Sequence, residues 1–293
     1  MEWAGSFTRR SGARRTGRPR CAPLRGAQGP CQAGAMTPAR FEIIPSNDIA
    51  ERAERAFPDP SAVTLTVTSL PKHGTQRTVD CAVELAGRGF QVVPHLAART
   101  IEGRDALQRL LARLGDAGIN EAFVISGDAR EAAGSYATSL ELIRDARELA
   151  PSLALDIAGY PEGHPHLSAE SIERHLHERA PFIRSVVTQM CFDVDAVVRY
   201  ADRLREQGVT ADVWAGVPGP VERSKLLTLG ARIGVGASLG FLKRSTSVAG
   251  GLLHGRRFDP TAFVARLDSA AGDRLAGLHV YTFNEVDALA TFA

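Results

Sequence analysis

Glu42 stands inside the apolar run Phe41-Glu42-Ile43-Ile44. A carboxylate there is costly unless it is paired, hydrogen-bonded or neutral. With apolar residues on both sides, it is expected to point into a closed sheet, where desolvation would raise its pKa and suit it to general-acid chemistry near neutral pH. A Glu on an exposed strand face is the plainer alternative. A second constellation is Ala158-Gly159-Tyr160-Pro161-Glu162-Gly163-His164-Pro165. It follows an apolar stretch and precedes Ser168, a good helix cap. An aromatic, a carboxylate and an imidazole therefore meet where a strand hands over to a helix, in a turn shaped by glycine and proline. His95 closes another apolar run, as a ligand donor or as a loop residue. Ser126-Gly127-Asp128 follows a fourth run; its glycine would let a ligand approach the backbone, or the triplet is a plain turn. Gln189 ends a sixth run and offers both a donor and an acceptor for the edge of a heterocycle, or is a polar strand terminus.

Other chemistries find less support. His164, His166, His175 and His177 are close in sequence, but no carboxylate lies at ligand spacing and there is no HExxH, so no metal site is expected. There is no GxSxG elbow, and Cys191 has no base beside it, which disfavours nucleophilic catalysis. The cysteines are Cys21, Cys31, Cys81 and Cys191, none in CxxC spacing. Neither zinc nor a disulfide framework is implied, and a reducing, cytoplasmic setting is expected.

The elements that would position these residues alternate. Apolar or β-branched strands are read at 41–44, 63–68, 91–95, 121–125, 153–158, 183–188, 210–215 and 278–282. Helical segments are read at 78–88, 105–114, 138–149, 168–179, after Asp193, at 221–232, 236–249 and 260–274, with a short closing helix from Asn284. In the third of these strand–helix units Leu107, Leu110, Leu111 and Leu114 fall on one helical face. Eight strands with helices between them, over about 250 residues, predict a (β/α)8 TIM barrel with its site at the C-terminal mouth. An open doubly wound sheet is the alternative, disfavoured by the lack of GxGxxG after the first strand.

The chain has 293 residues, 44% apolar and 23% charged, with a net charge of +2. That balance is uneven. Residues 1–35 hold seven Arg and one Glu, while the rest holds 28 basic and 32 acidic residues. The leader has too few aliphatic residues to pack a core and is expected to be a disordered extension, consistent with a start assigned ahead of Met36. The single catalytic domain is expected over 36–293. Its acidic balance gives no case for nucleic acid, and no apolar run reaches the roughly 20 residues of a membrane helix. A homo-oligomer is left open.

Taken together, several short pieces resemble the methylenetetrahydrofolate reductase family, a flavin-dependent (β/α)8 barrel. They are Phe41-Glu42-Ile43-Ile44-Pro45, Thr66-Val67-Thr68, Pro94-His95-Leu96, Ser126-Gly127-Asp128, Ser135-Tyr136-Ala137, Tyr160 to Pro165, Thr188-Gln189 with Phe192-Asp193, and Tyr281-Thr282-Phe283-Asn284. The resemblance implies FAD at the barrel mouth, NAD(P)H as co-substrate, and reduction of 5,10-methylenetetrahydrofolate to 5-methyltetrahydrofolate for methionine synthesis. It implies Glu42 as general acid, Asp128 near flavin and pterin, and Gln189 and Tyr281 on the substrate. FAD contacts would fall to Thr68, His95, Gly127, Asp128, Tyr136, Ala137, Tyr160 and His164. The helix after His164 offers Arg174, His175, His177 and Arg179 where the family carries a basic cluster, and Arg174 is expected to serve the cofactor. The chain departs from the family at Ser126, where an Arg is usual, and around Glu222-Arg223-Ser224, where an aromatic is expected. The regulatory domain of longer members is not expected within these 293 residues. A flavin-free folate-dependent methyltransferase or demethylase, or a non-catalytic folate-binding barrel, are the competing readings.

Overall fold

The computed structural model describes residues 37–222, 224–226 and 257–291. The leader and the helices read at 236–249 and over most of 221–232 lie outside them. Eight strands form a closed parallel barrel in sequence order. They are β1 (Ala39–Ile43), β2 (Thr64–Val67), β3 (Gln91–Ala97), β4 (Glu121–Ile125), β5 (Ala154–Gly159), β6 (Ser185–Thr188), β7 (Asp212–Pro218) and β8 (Gly277–Tyr281). Each was expected from its apolar run, because parallel strands are covered on both faces and read as nearly continuous hydrophobic segments.

Around the barrel lie α1 (Ile49–Ala56), α2 (Gly74–Gly87), α3 (Arg104–Asp116), α4 (Ser139–Leu149), α5 (Ala169–Arg179), α6 (Val194–Glu206) and α7 (Thr261–Ala271). The first of these was not anticipated. It is short and charge-rich, yet Ile49, Ala50, Ala53 and Ala56 make a narrow buried face. Alternate strand residues divide the core. Outward side chains such as Phe41, Ile43, Leu65 and Leu155 pack under the helices in the main hydrophobic cluster. Inward ones include Val93, Phe123 and Val187, with Ile125, Ala158 and Trp214 against them, an apolar layer across the barrel interior.

The barrel closes where β8 pairs with β1, with Glu42 opposite Tyr281. Just past β8, Phe283 and Asn284 adopt left-handed φ values of 51° and 62°. This sharp turn sends the Asn284 side chain back onto Ile44. Its Oδ1 accepts from Ile44 N at 2.6 Å, and its Nδ2 donates to Ile44 O at 2.9 Å. Thr282 Oγ1 donates to Glu42 O at 2.5 Å and accepts from Asn284 N at 3.1 Å.

Candidate active site

Glu42 does point into the barrel. Its Oε2 lies 3.1 Å from His279 Nε2 and 3.7 Å from His95 Nε2. As an anion the carboxylate can only accept, so His279 donates. The two imidazoles come from β8 and β3, on either side of β1 and β2, and Phe123 packs edge-on against both rings. Three buried polar atoms on these neighbouring strands have no hydrogen-bond partner among the described residues: Thr66 Oγ1, His95 Nε2 and His279 Nδ1. Buried polar atoms are normally satisfied, so a cluster of exceptions marks a place built to meet something else.

The electrostatics correct one expectation. Burial does push the Glu42 carboxyl up, as anticipated. The hydrogen bond from His279 and the charges of His95 and His279 pull it down further, and the net is below the ordinary carboxylate value. Burial drives His95 down to about 4. At neutral pH that ring is uncharged, and the His279 hydrogen bond is the main hold on the Glu42 anion. The Glu42 side chain stays 17% exposed, toward the mouth. Position His95 also differs from the expected strand end: β3 runs two residues beyond it.

Tyr281 borders the same centre, its ring 4.9 Å from that of His279. Its hydroxyl donates to Thr188 O at 3.2 Å, and burial raises its pKa well above 10, so it is a neutral donor. Thr188 Oγ1 accepts from Gly216 N, and a Cβ on Gly216 would stand 2.2 Å from Thr188 O. That close approach fixes the end of β6, where Gln189 follows with its amide donating to Gly159 O.

A cavity of about 440 Å³ opens between the ends of β4 and β5 and the inner face of α5. Gly127, Asp128, Tyr160 and His164 all line it, so the structure gathers four of the expected residues. Gly127 has φ +84°, a conformation that side chains other than hydrogen resist. Burial lowers the pKa of His164. Apolar Ile157, Ala158 and Leu176 face the same space. A larger groove of about 610 Å³, between α5 and α6, shares Tyr160 and His164 as a wall, and neither hollow is lined by Glu42, His95 or His279.

Other expected contacts fall elsewhere. Arg174 is exposed, with its guanidinium near Ser171. It is Arg179 that lines the cavity, 8% exposed. Its Nε donates to Ser139 Oγ at 2.9 Å and its Nη1 to His175 O at 2.5 Å. Among the described residues no carboxylate pairs with it, and burial lowers its pKa. Tyr136 is buried with its hydroxyl donating to Asp145, and Ala137 N donates to Glu141. Thr68 N donates to Ile43 O. None of these three lines the cavity. Ser126, in place of the expected cation, accepts from Ser139 N at the start of α4.

Sequence reasoning passed over His279 and Arg40. His279 is a lone charged-type residue inside an apolar strand, the same signal that singled out Glu42, and Arg40 alternates with Glu42 on β1. Arg40, one pleat below Glu42, lies 2.8 Å from Glu121 and 2.9 Å from Asp156, and stacks 3.8 Å over Trp214. Ser185 also donates to Asp156.

A family model described as methylenetetrahydrofolate reductase matches residues 45–236. A 5,10-methylenetetrahydrofolate reductase of Pectobacterium carotovorum subsp. carotovorum is 26% identical over 147 residues, 47% of this chain and 47% of that protein. The chain thus matches about half the length of this curated relative. Glu42 and His279 both lie outside the stretch matched by the family model.

Proposed function

The chain belongs to the methylenetetrahydrofolate reductase family, and from that premise we propose that it reduces 5,10-methylenetetrahydrofolate to 5-methyltetrahydrofolate, with NAD(P)H as reductant and FAD at the barrel mouth. The product would feed methionine synthesis. The observation that carries the reading is the Glu42 centre: a carboxylate tied to an imidazole, partly exposed, and ringed by polar atoms without partners among the described residues.

The neighbouring cavity suits a flavin nucleotide. It pairs apolar walls with Gly127 backbone, His164 and Tyr160, and a buried Arg179 without a carboxylate partner among the described residues fits an anionic diphosphate. Arg179 takes the role expected of Arg174 in this proposal, and Thr68, Tyr136 and Ala137 have no part in it. Bound there, the flavin supplies a carrier for hydride between the nicotinamide and the one-carbon unit.

The protein's own residues handle the proton. Glu42 is held as an anion by His279 and must gain a proton before it can give one. A pteridine covering its exposed edge strips water from the carboxylate and raises its pKa, favouring uptake. Glu42 Oε2 then passes that proton to the ring nitrogen whose bond to the one-carbon unit breaks, and His279 Nε2 stabilises the carboxylate left behind. Asp128, exposed at the cavity rim, binds the pterin side, and Gln189 and Tyr281 hydrogen-bond the substrate.

A second reading, folate methyl transfer without flavin, is favoured by one observation: Ser126 stands where the family usually carries an Arg, and it commits its hydroxyl to the start of α4. An absorption spectrum of the purified protein, followed by stopped-flow of each half-reaction, separates the two. The reductase reading expects bound FAD that NAD(P)H bleaches and methylenetetrahydrofolate restores. Protein that neither carries nor takes up FAD, yet moves a folate methyl group, would establish the second.

A further inference from the structure

We infer that Thr282, with Asn284 behind it, is a positioning residue for Glu42: its hydroxyl holds the β1 main chain at the spacing from β8 that lets the Glu42 carboxylate meet His279. The inference rests on the reductase reading only for the identity of the step that Glu42 serves.

The geometry is a chain of contacts across the barrel seam. Thr282 is 1% exposed, and its Oγ1 donates to Glu42 O at 2.5 Å. The ladder bond at that point is long, with Thr282 N 3.4 Å from the same carbonyl. The side chain therefore supplies the closer of the two contacts. Thr282 Oγ1 is itself oriented by Asn284 N at 3.1 Å, and Asn284 grips both polar groups of Ile44. Arg52 Nη2 in turn donates to Asn284 O at 2.6 Å.

This arrangement is held against a cost. Phe283 and Asn284 are the only non-glycine residues with positive φ among the described residues. Left-handed backbone at such residues is costly and persists only where surrounding contacts enforce it. Phe283 is a bulky residue with no local reason for that conformation. The turn it makes is what places Asn284 on β1. Strain at this point serves the seam that carries Glu42 on one strand and His279 on the other.

The groups facing Glu42 are His95 from β3, and His279 and Tyr281 from β8. Loosening the seam moves β8 relative to β1, and the His279 hydrogen bond is the contact most exposed to that shift. Glu42 then loses its strongest stabilisation as an anion, while burial still opposes its charge.

Three full-length variants test this: Thr282→Val, nearly the same shape without the hydroxyl; Thr282→Ser, which restores it; and Asn284→Ala. Two readouts are used, the Glu42 titration followed by carbon NMR on glutamate-labelled protein, and the rates of the two half-reactions. The hydroxyl's removal leaves a buried acceptor poorly satisfied, which predicts about a tenfold fall in folate reduction. Nicotinamide oxidation should hold, the Glu42 titration should move upward, and Thr282→Ser should recover both. A Thr282→Val protein that melts earlier but keeps the Glu42 titration of the parent would overturn the inference, leaving a structural role alone. Should the parent protein reduce no folate, the reductase reading fails, and the NMR titration still decides the positioning role.

Discussion

β1 places two charges into the barrel, Arg40 and Glu42, and the protein buries them in opposite ways. Arg40 at the lower end is surrounded by what it needs. Two carboxylates lie within 3 Å, an indole covers its face, and Ser185 completes Asp156. Glu42 meets one good donor, His279, and a second imidazole, His95, 3.7 Å away, and both rings and Thr66 keep a polar atom without a partner among the described residues. The apolar layer of Val93, Phe123 and Val187 belongs to the same interior. A closed cluster satisfies itself and stabilises the barrel; an open one waits for a ligand. The proposed active centre is thus marked less by charge than by incompleteness, at the end of the barrel where (β/α)8 enzymes work.

The contrast is broken most severely at Glu42. Glu42→Gln should slow folate reduction on the order of 10²–10⁴-fold, the usual worth of a general acid. Reduction of bound flavin by NAD(P)H should survive. Equal loss of both half-reactions in stopped-flow would remove Glu42 from the proton step. At the other end, Arg40→Met strands two carboxylates in the interior and should cost about 3–5 kcal/mol in urea unfolding, as breaking a buried pair does. Activity per folded molecule should hold. An unchanged unfolding midpoint would mean the lower cluster is not structural.

pH sharpens the same comparison. Burial, then the nearby Glu121, raises Asp156 from 3.8 to about 7. The folded state therefore binds that proton more tightly than the unfolded chain, and stability falls as pH rises from about 4 to 7. His95 runs the other way. Pushed from 6.5 to about 4, it stays neutral in the fold while the unfolded ring charges, so its contribution is lost as pH falls from 6.5 toward 4. The two ends mask each other. Asp156→Asn should unmask a stability that climbs with pH over this window, by on the order of a few kcal/mol; a flat profile in that variant would refute the opposition. The smallest effect is expected from deleting residues 1–35, which should leave the melting temperature and both half-reactions unchanged. A large drop in melting temperature would make the leader part of the fold.

All eight strands could be read from the sequence because burial on both faces writes itself as an apolar run. α1 escaped because it spans only two turns and its buried face is one isoleucine and three alanines, which do not stand out as apolar. Glu42 was legible as a lone polar residue in such a run, and His279 carried the same mark. What no local pattern contains is the partner: Arg40 finds Asp156 116 residues away, and Glu42 finds His279 237 residues away. That missing partner also explains why the direction of the Glu42 shift was misjudged, since burial alone was visible. Arg179 could have been preferred to Arg174 from spacing. Leu176 and Arg179, three residues apart, share the buried face of α5, and Arg174 lies off it.

Closing the barrel by pairing β1 with β8 also sets a schedule. The ribosome releases Glu42 early and the strand bearing His279 only 237 residues later. At about 5–20 residues per second, tens of seconds of synthesis separate the two halves of the centre. Throughout that interval β1 has an unpaired edge, an invitation to wrong partners. The nascent chain therefore carries Glu42 without its imidazole partner, and the proposed centre is completed all at once with the strand that bears His279.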